Sequence, residues 1–146
     1  MEEIEALTRL ALRSKAHWGY DAGFIEACRD ELTVRPEDVV AHRLTVAVDD
    51  TTKRLLGFYG LVGTTSEDAE LSTLFVEPDV IGTGVGTLLF DDAVRAAQDA
   101  GFSQFRIEAD PFAAGFYEHA GARACGTTAS HSITDRELPL FVMDVS

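Results

Sequence analysis

Apolar residues recur at three- to four-residue spacing near the start of the chain and at two-residue spacing in its middle, so helices and strands separate before any motif is considered. Ile4, Leu7, Leu10 and Ala11 form one helical stripe that runs to about Lys15, and Glu2, Glu3 and Glu5 sit in the first turn, where the helix dipole favours negative charge. Asp21 is placed to cap a second helix carrying Phe24, Cys28 and Leu32 on one face and ending before Pro36. The spacing then changes. Leu44 to Val48 and Leu55 to Gly63 read as strands joined through the turn-forming Asp49-Asp50-Thr51-Thr52, and Ala69 to Val76 reads as a third strand that stops before Pro78. From Val85 to Ala100, the residues Val85, Leu88, Leu89, Ala93, Ala96, Ala97 and Ala100 make a helical stripe, closed by Gly101. Gln104 to Ala109 alternates as a strand, and Asp110-Pro111 opens a short helix that reaches Gly121. Two more strands, about Ala122 to Ser130 and Leu138 to Val145, follow. The predicted order is α, α, β, β, β, α, β, α, β, β, an α+β chain.

Length and charge narrow the classes. The 146 residues, with 46% hydrophobic content, suit a single domain over 1–146 with a real core. No apolar run approaches the roughly 18 residues that cross a bilayer, and Met1-Glu2-Glu3 lacks a basic signal start, so a soluble, cytoplasmic protein without a membrane partner is expected. A net charge of -13 with no cluster of Lys and Arg argues against nucleic acid as a partner. Cys28 and Cys125 have neither disulfide-framework nor zinc spacing. His17, His42 and His119 show no metal-ligand spacing either, so no metal is expected.

The chemistry begins at Val76-Glu77-Pro78-Asp79-Val80-Ile81-Gly82-Thr83-Gly84-Val85-Gly86, a strand leading through alternate glycines into an amphipathic helix. Phosphate groups need converging backbone N–H donors, which a glycine turn at a helix start supplies together with partial positive charge. Alone, Gly-x-Gly-x-Gly is shared with many structural loops. Here it lacks the Gly-Lys-Ser/Thr ending of a nucleoside-triphosphate loop, and an antiparallel hairpin precedes it rather than the parallel unit of a dinucleotide fold. A diphosphate coenzyme that needs no metal fits this context, and coenzyme A is one.

Together with the segment Asp110-Pro111-Phe112-Ala113-Ala114-Gly115-Phe116-Tyr117-Glu118-His119-Ala120-Gly121, the loop makes nearly the whole chain resemble the GNAT superfamily of N-acetyltransferases. The family signature, Arg or Gln, two residues, Gly, one residue, Gly or Ala, maps onto Ile81, Gly84 and Gly86, so its first position departs from the pattern. Phe116-Tyr117-Glu118 with Gly121 is similar to the family's Phe-Tyr-Glu-x-x-Gly helix. The resemblance implies a mixed, mostly antiparallel sheet in a three-layer α/β arrangement with about four helices. It also implies acetyl-CoA as co-substrate and a primary amine of a small molecule or peptide as acceptor. The family's first strand has no counterpart before the first helix; its loss would bare a sheet edge, for which a homodimer is one remedy.

For the site, the resemblance implies that Gly82, Thr83, Gly84, Val85, Gly86 and Thr87 hold the diphosphate while Leu74, Phe75 and Val76 run beside the pantetheine arm. A backbone N–H near Phe75 or Val76 would receive the developing oxyanion. Tyr117 is the implied proton donor to the leaving thiolate, against the alternative of a core tyrosine. An amine of pKa near 10.4 is almost wholly protonated at pH 7, so a general base is required. Glu70 is the candidate, against the alternative of a solvated strand-edge charge. Trp18 and Tyr20 are candidates to border the acceptor or to pack in the core, and His131 could reach the acceptor side. Asp110 reads as a cap. A non-catalytic acyl-CoA-binding module is the rival to an enzyme.

Overall fold

A computed structural model of the chain describes residues 2–130, 133 and 135–146. His131 therefore lies outside the described residues. Helices α1 (Glu2–Ala16), α2 (Ala22–Leu32) and α3 (Asp38–Ala41) precede strands β1 (Thr45–Val48), β2 (Leu55–Gly63) and β3 (Asp68–Val76). Helix α4 (Val85–Asp99), β4 (Gln104–Glu108), α5 (Ala114–His119), β5 (Arg123–Ala129) and β6 (Glu137–Asp144) follow, with 3-10 turns at Pro78–Val80 and Pro111–Ala113.

The six strands form one sheet in the order β1-β2-β3-β4-β6-β5. Only β3 and β4 run parallel; every other neighbouring pair is antiparallel. Alternation along the strands sends one set of side chains to each face. Tyr59, Leu61, Leu71, Phe105, Ile107 and Phe141 pack on the α4 side against Leu89, Phe90 and Ala93. On the other side, Phe58 buries itself with Leu7, Leu10 and Ala11 of α1, joined by Leu32, Leu44 and Phe75. The result is the expected three-layer arrangement.

Asp21 caps α2, its carboxylate accepting the Phe24 N–H at 2.8 Å. Gly101 takes a φ of +88° just beyond α4, a backbone state that residues with a Cβ avoid. Three features differ from the sequence reading. The four-residue α3 was not expected, because so short a segment carries no periodic stripe and Val40 in it is exposed. In α4, Leu88 is 59% exposed while the buried place belongs to Phe90, whose ring meets Phe105, Phe116 and Tyr117. Phe90 thus faces both the sheet, at Phe105, and the short helix α5, at Phe116 and Tyr117. The segment after Asp110 starts as a 3-10 turn and ends at His119, with Gly121 at φ +103° turning the chain into β5. Among the described residues no strand precedes α1, and none of the helices is long and apolar enough to cross a membrane.

Candidate active site

The cleft follows from two irregularities in β3. Its parallel register with β4 covers only Asp68↔Gln104, Ala69↔Phe105 and Glu70↔Arg106, whereas β3 continues to Val76. Beyond Glu70 the two strands part, and their facing backbone edges are released from each other. On its other side β3 bulges: Gly60 is opposite Thr73 and Leu61 opposite Leu71, leaving Ser72 as the extra residue. A cavity of about 490 Å³ fills the gap, walled by Leu71 to Val76 of β3 and by Ile107, Glu108 and Asp110 at the end of β4.

At one end lies the glycine turn. Gly82 and Gly84 have φ of +85° and +97°, and a Cβ at either would meet nothing within 4 Å. Their glycines are therefore set by backbone conformation, and the space beside them is open. Gly84 is the N-cap of α4 with no side-chain cap, so the first-turn N–H groups have no helical acceptor and face that opening. At Gly86 a Cβ would press within 3.3 Å of the Phe116 ring. The bidentate pair of Arg13 with Glu77, at 3.0 and 2.6 Å, braces the turn against α1. Gly84→Ala is expected to cost about 1 kcal/mol through its left-handed backbone, lowering Tm by roughly 2–4 °C in a thermal melt.

At the other end the wall is aromatic and charged. Trp18 stacks on Phe112 with centroids 5.6 Å apart, and Tyr20 stacks on Phe24 at 4.0 Å. Asp110 receives the Lys15 ammonium at 2.5 Å and the Tyr20 hydroxyl at 3.1 Å, while its Oδ1 also accepts the Phe112 N–H at 2.9 Å. Arg136 donates to the Tyr20 hydroxyl at 2.6 Å and lies 3.8 Å from Asp110. The side chains of Lys15, Asp110 and Arg136 are only 14%, 12% and 17% exposed. Burial first, and then the Asp110 charge, raises the Tyr20 pKa and keeps it a donor.

Tyr117 lines the cleft and is 6% exposed, enclosed by Phe90, Phe116 and Phe141. Burial, with a smaller push from Asp110, holds its pKa well above the ordinary phenol value, so the hydroxyl stays protonated.

Of the residues singled out in the sequence, Leu74, Phe75, Val76, Gly82, Gly84, Gly86, Thr87, Tyr117 and Trp18 share this cleft. Four do not line it. The Thr83 hydroxyl turns back to the Val80 carbonyl, Val85 packs towards the core, and Tyr20 stands behind Asp110. Glu70 opens into a neighbouring depression with Arg106 and Thr128, and Glu108 borders both spaces. Sequence reasoning missed Lys15, Glu108 and Arg136 at the cleft and gave Asp110 only its capping role. Lys15 and Asp110 are 95 residues apart, so local periodicity held no sign of the pair.

The sequence model of the acetyltransferase (GNAT) domain matches residues 23–132. No curated protein matches the chain by sequence. Among solved structures, a GCN5-related N-acetyltransferase from Rhodopseudomonas palustris is similar over 98% of this chain and 90% of its own, with 20% identity and a TM-score of 0.79. The PaiA N-acetyltransferase of Thermoplasma acidophilum, solved with coenzyme A, covers 98% of this chain and 93% of its own at 19% identity and a TM-score of 0.75. An aminoglycoside 6'-N-acetyltransferase complexed with coenzyme A reaches a TM-score of 0.69 at 18% identity, over 97% and 90%. The mixed sheet with its splayed parallel pair and uncapped glycine turn therefore sits in a fold shared with these acetyltransferase structures. This chain belongs to the GNAT acetyltransferase family.

Proposed function

We propose that the chain transfers an acetyl group from acetyl-CoA to an amine of a small molecule or peptide, by direct attack with both substrates bound. The observation that carries this reading is one cleft lined together by the open glycine turn, by Tyr117 and by the Lys15, Asp110 and Arg136 cluster. The donor set fits a diphosphate. At Gly82 and Gly84 a ligand meets no side chain, and the N–H groups of Val85, Gly86 and Thr87 supply donors without a cation. Ile81 borders this end, so backbone and not a polar side chain does the holding.

When bound, acetyl-CoA supplies an activated acyl carbon on a thiol leaving group. The free edge of β3 from Leu74 to Val76 offers main-chain groups along the arm and a donor for the charge that develops on the carbonyl oxygen. Tyr117 is the acid for the thiolate, because it is neutral at working pH and already inside the cleft. Glu70 is the carboxylate candidate for the base, and from its neighbouring depression it takes up the proton through water. Trp18 and Phe112 form an apolar wall for the acceptor, and Glu31 adds negative charge beside it.

The test is thiol release from acetyl-CoA over a panel of amino acids, polyamines, aminoglycosides and peptides, with calorimetry for coenzyme A alongside. Binding with release on at least one amine is the expected result. Binding without release on any of them would leave a non-catalytic acyl-CoA module, and absence of binding would sink both readings.

A further inference from the structure

The chain holds a second polar constellation on the wall of the same cleft, built by the helix that the sequence did not reveal. Asp38 and His42 are one turn apart on α3 and its C-terminal cap, with Asp38 Oδ1 3.8 Å from His42 Nε2. The other ring nitrogen, Nδ1, lies 2.9 Å from the Ser72 hydroxyl. Ser72 is the extra residue of the β3 bulge and lines the cleft. Gly60 makes room for this contact, since a Cβ there would come within 2.7 Å of Ser72 Oγ and 3.0 Å of Thr73 Oγ1. Next to it, the buried Thr73 hydroxyl has no hydrogen-bond partner among the described residues. His42 is held through its main chain as well, its backbone N–H donating to the Asp38 carbonyl at 2.8 Å and its backbone carbonyl accepting the Leu61 N–H.

Chemistry assigns a direction to this row. A carboxylate facing Nε2 favours the tautomer with its proton there, which leaves the Nδ1 lone pair to accept from Ser72. The Ser72 oxygen then has lone pairs for a donor in the cleft. His42 and Asp38 are 34% and 29% exposed, so the row ends in solvent. It spans from the wall of the cleft to bulk water.

We propose that Ser72 and His42 form a proton relay that carries the acceptor amine's proton out of the cleft, with Asp38 orienting the imidazole. This rests on the acetyl-transfer reading above and replaces the water-borne route to Glu70 as the main path. As the amine nitrogen bonds to the acyl carbon, the carbonyl π pair moves onto oxygen. The bonding pair is freed beforehand, when the ammonium gives one proton to Ser72 Oγ while Ser72 passes its own to His42 Nδ1. Collapse of the oxyanion breaks the carbon–sulfur bond, and the thiolate takes the Tyr117 proton. The proton left on the nitrogen replaces the one Tyr117 gave, His42 releases its Nε2 proton to water, and solvent exchange restores the Nε2–H tautomer, so ammonium and thioester give amide, free thiol and a proton. Ser72 is a catalytic residue in this scheme, and His42 and Asp38 act through it.

The test uses the intact chain with acetyl-CoA and whichever amine the panel identifies, measuring kcat/KM from pH 5.5 to 9.5 for the wild type, H42N, S72A and E70Q. Groups against the imidazole are Asp38 from α3 and the uncharged Ser72 from β3; the Leu61 amide of β2 holds the His42 main-chain carbonyl, and Arg43 is turned away over the Phe102 ring. Asn at 42 can still accept from Ser72 through its amide oxygen but cannot take up a proton. H42N and S72A are therefore expected to lose roughly 10²-fold in kcat/KM and to flatten the acid limb of the profile, with unchanged coenzyme A affinity. The defect should shrink with an acceptor amine of low pKa, which arrives neutral. Wild-type rate and limb in H42N overturn the relay alone, as does a limb lost in E70Q and kept in H42N. A wild type that binds coenzyme A yet acetylates nothing overturns the acetyl-transfer reading and the relay with it.

Discussion

Replacing Tyr117 by phenylalanine is expected to lower kcat by roughly 10²- to 10⁴-fold while changing coenzyme A affinity less than about threefold. The substitution deletes one oxygen and keeps the ring that packs among Phe90, Phe116 and Phe141, so the fold should be retained. On the proposed mechanism, what is lost is the proton donor to the leaving thiolate, a phenol that burial keeps neutral. The same shift sets a second readout. A phenol whose pKa is raised on folding contributes stability that is fully present below its unfolded pKa near 10 and is lost as pH climbs towards the folded value. Thermal melts above pH 10 should therefore fall less steeply for Tyr117→Phe than for the wild type. Tyr59 remains as background in both proteins, since burial chiefly pushes it up to about 12, with its bond to Asp92 adding to the shift. Turnover within a factor of three of wild type would remove Tyr117 from the chemistry.

The secondary structure was legible in the sequence wherever one face of an element is buried. Period-two alternation placed β4, and capping chemistry placed the starts of α2 and of the Pro111 turn. The glycine turn was legible too, because positive φ at Gly82 and Gly84 leaves a mark that few residues other than glycine can make. Charged groups at the cleft were not. Lys15, Asp110 and Arg136 meet across three separate segments, and each looks locally like a solvated surface charge. Glu70 shows the opposite failure: its strand was predictable, but not that β3 stays paired with β4 through Glu70↔Arg106, so that Glu70 borders the adjoining depression and the cleft opens only beyond it. His42 belongs with the unreadable set. Its partner Ser72 reaches it through a bulge, and a bulge shifts side-chain register without changing the pattern of residue types.

The strongest stability effect is expected at Asp110. Its carboxylate accepts Lys15, Tyr20 and the Phe112 N–H together and faces Arg136, so Asp110→Ala would leave two mostly buried cations without their counter-ion. Removing one partner of a fully buried pair costs about 3–5 kcal/mol. Here each side chain keeps some contact with water and Arg136 keeps its bond to Tyr20, so a loss of about 3 kcal/mol is the appropriate scale. For a chain of this length that corresponds to a fall in Tm of roughly 6–12 °C. Asp110→Asn should lose less, because the amide oxygen still caps Phe112 and accepts from Tyr20 or Lys15 while only the charge is gone. The two variants also separate structure from catalysis. Asp110 begins the segment that carries Tyr117, so the alanine variant should lose kcat together with stability. In the asparagine variant the Tyr117 pKa should drop somewhat, since one of its two causes has been removed, and the phenol should become a slightly stronger acid. Calorimetric melts and pH-resolved turnover of both proteins check this. A Tm for Asp110→Ala within 2 °C of wild type would show that Lys15 and Arg136 find other partners and that Asp110 does not hold the acceptor wall.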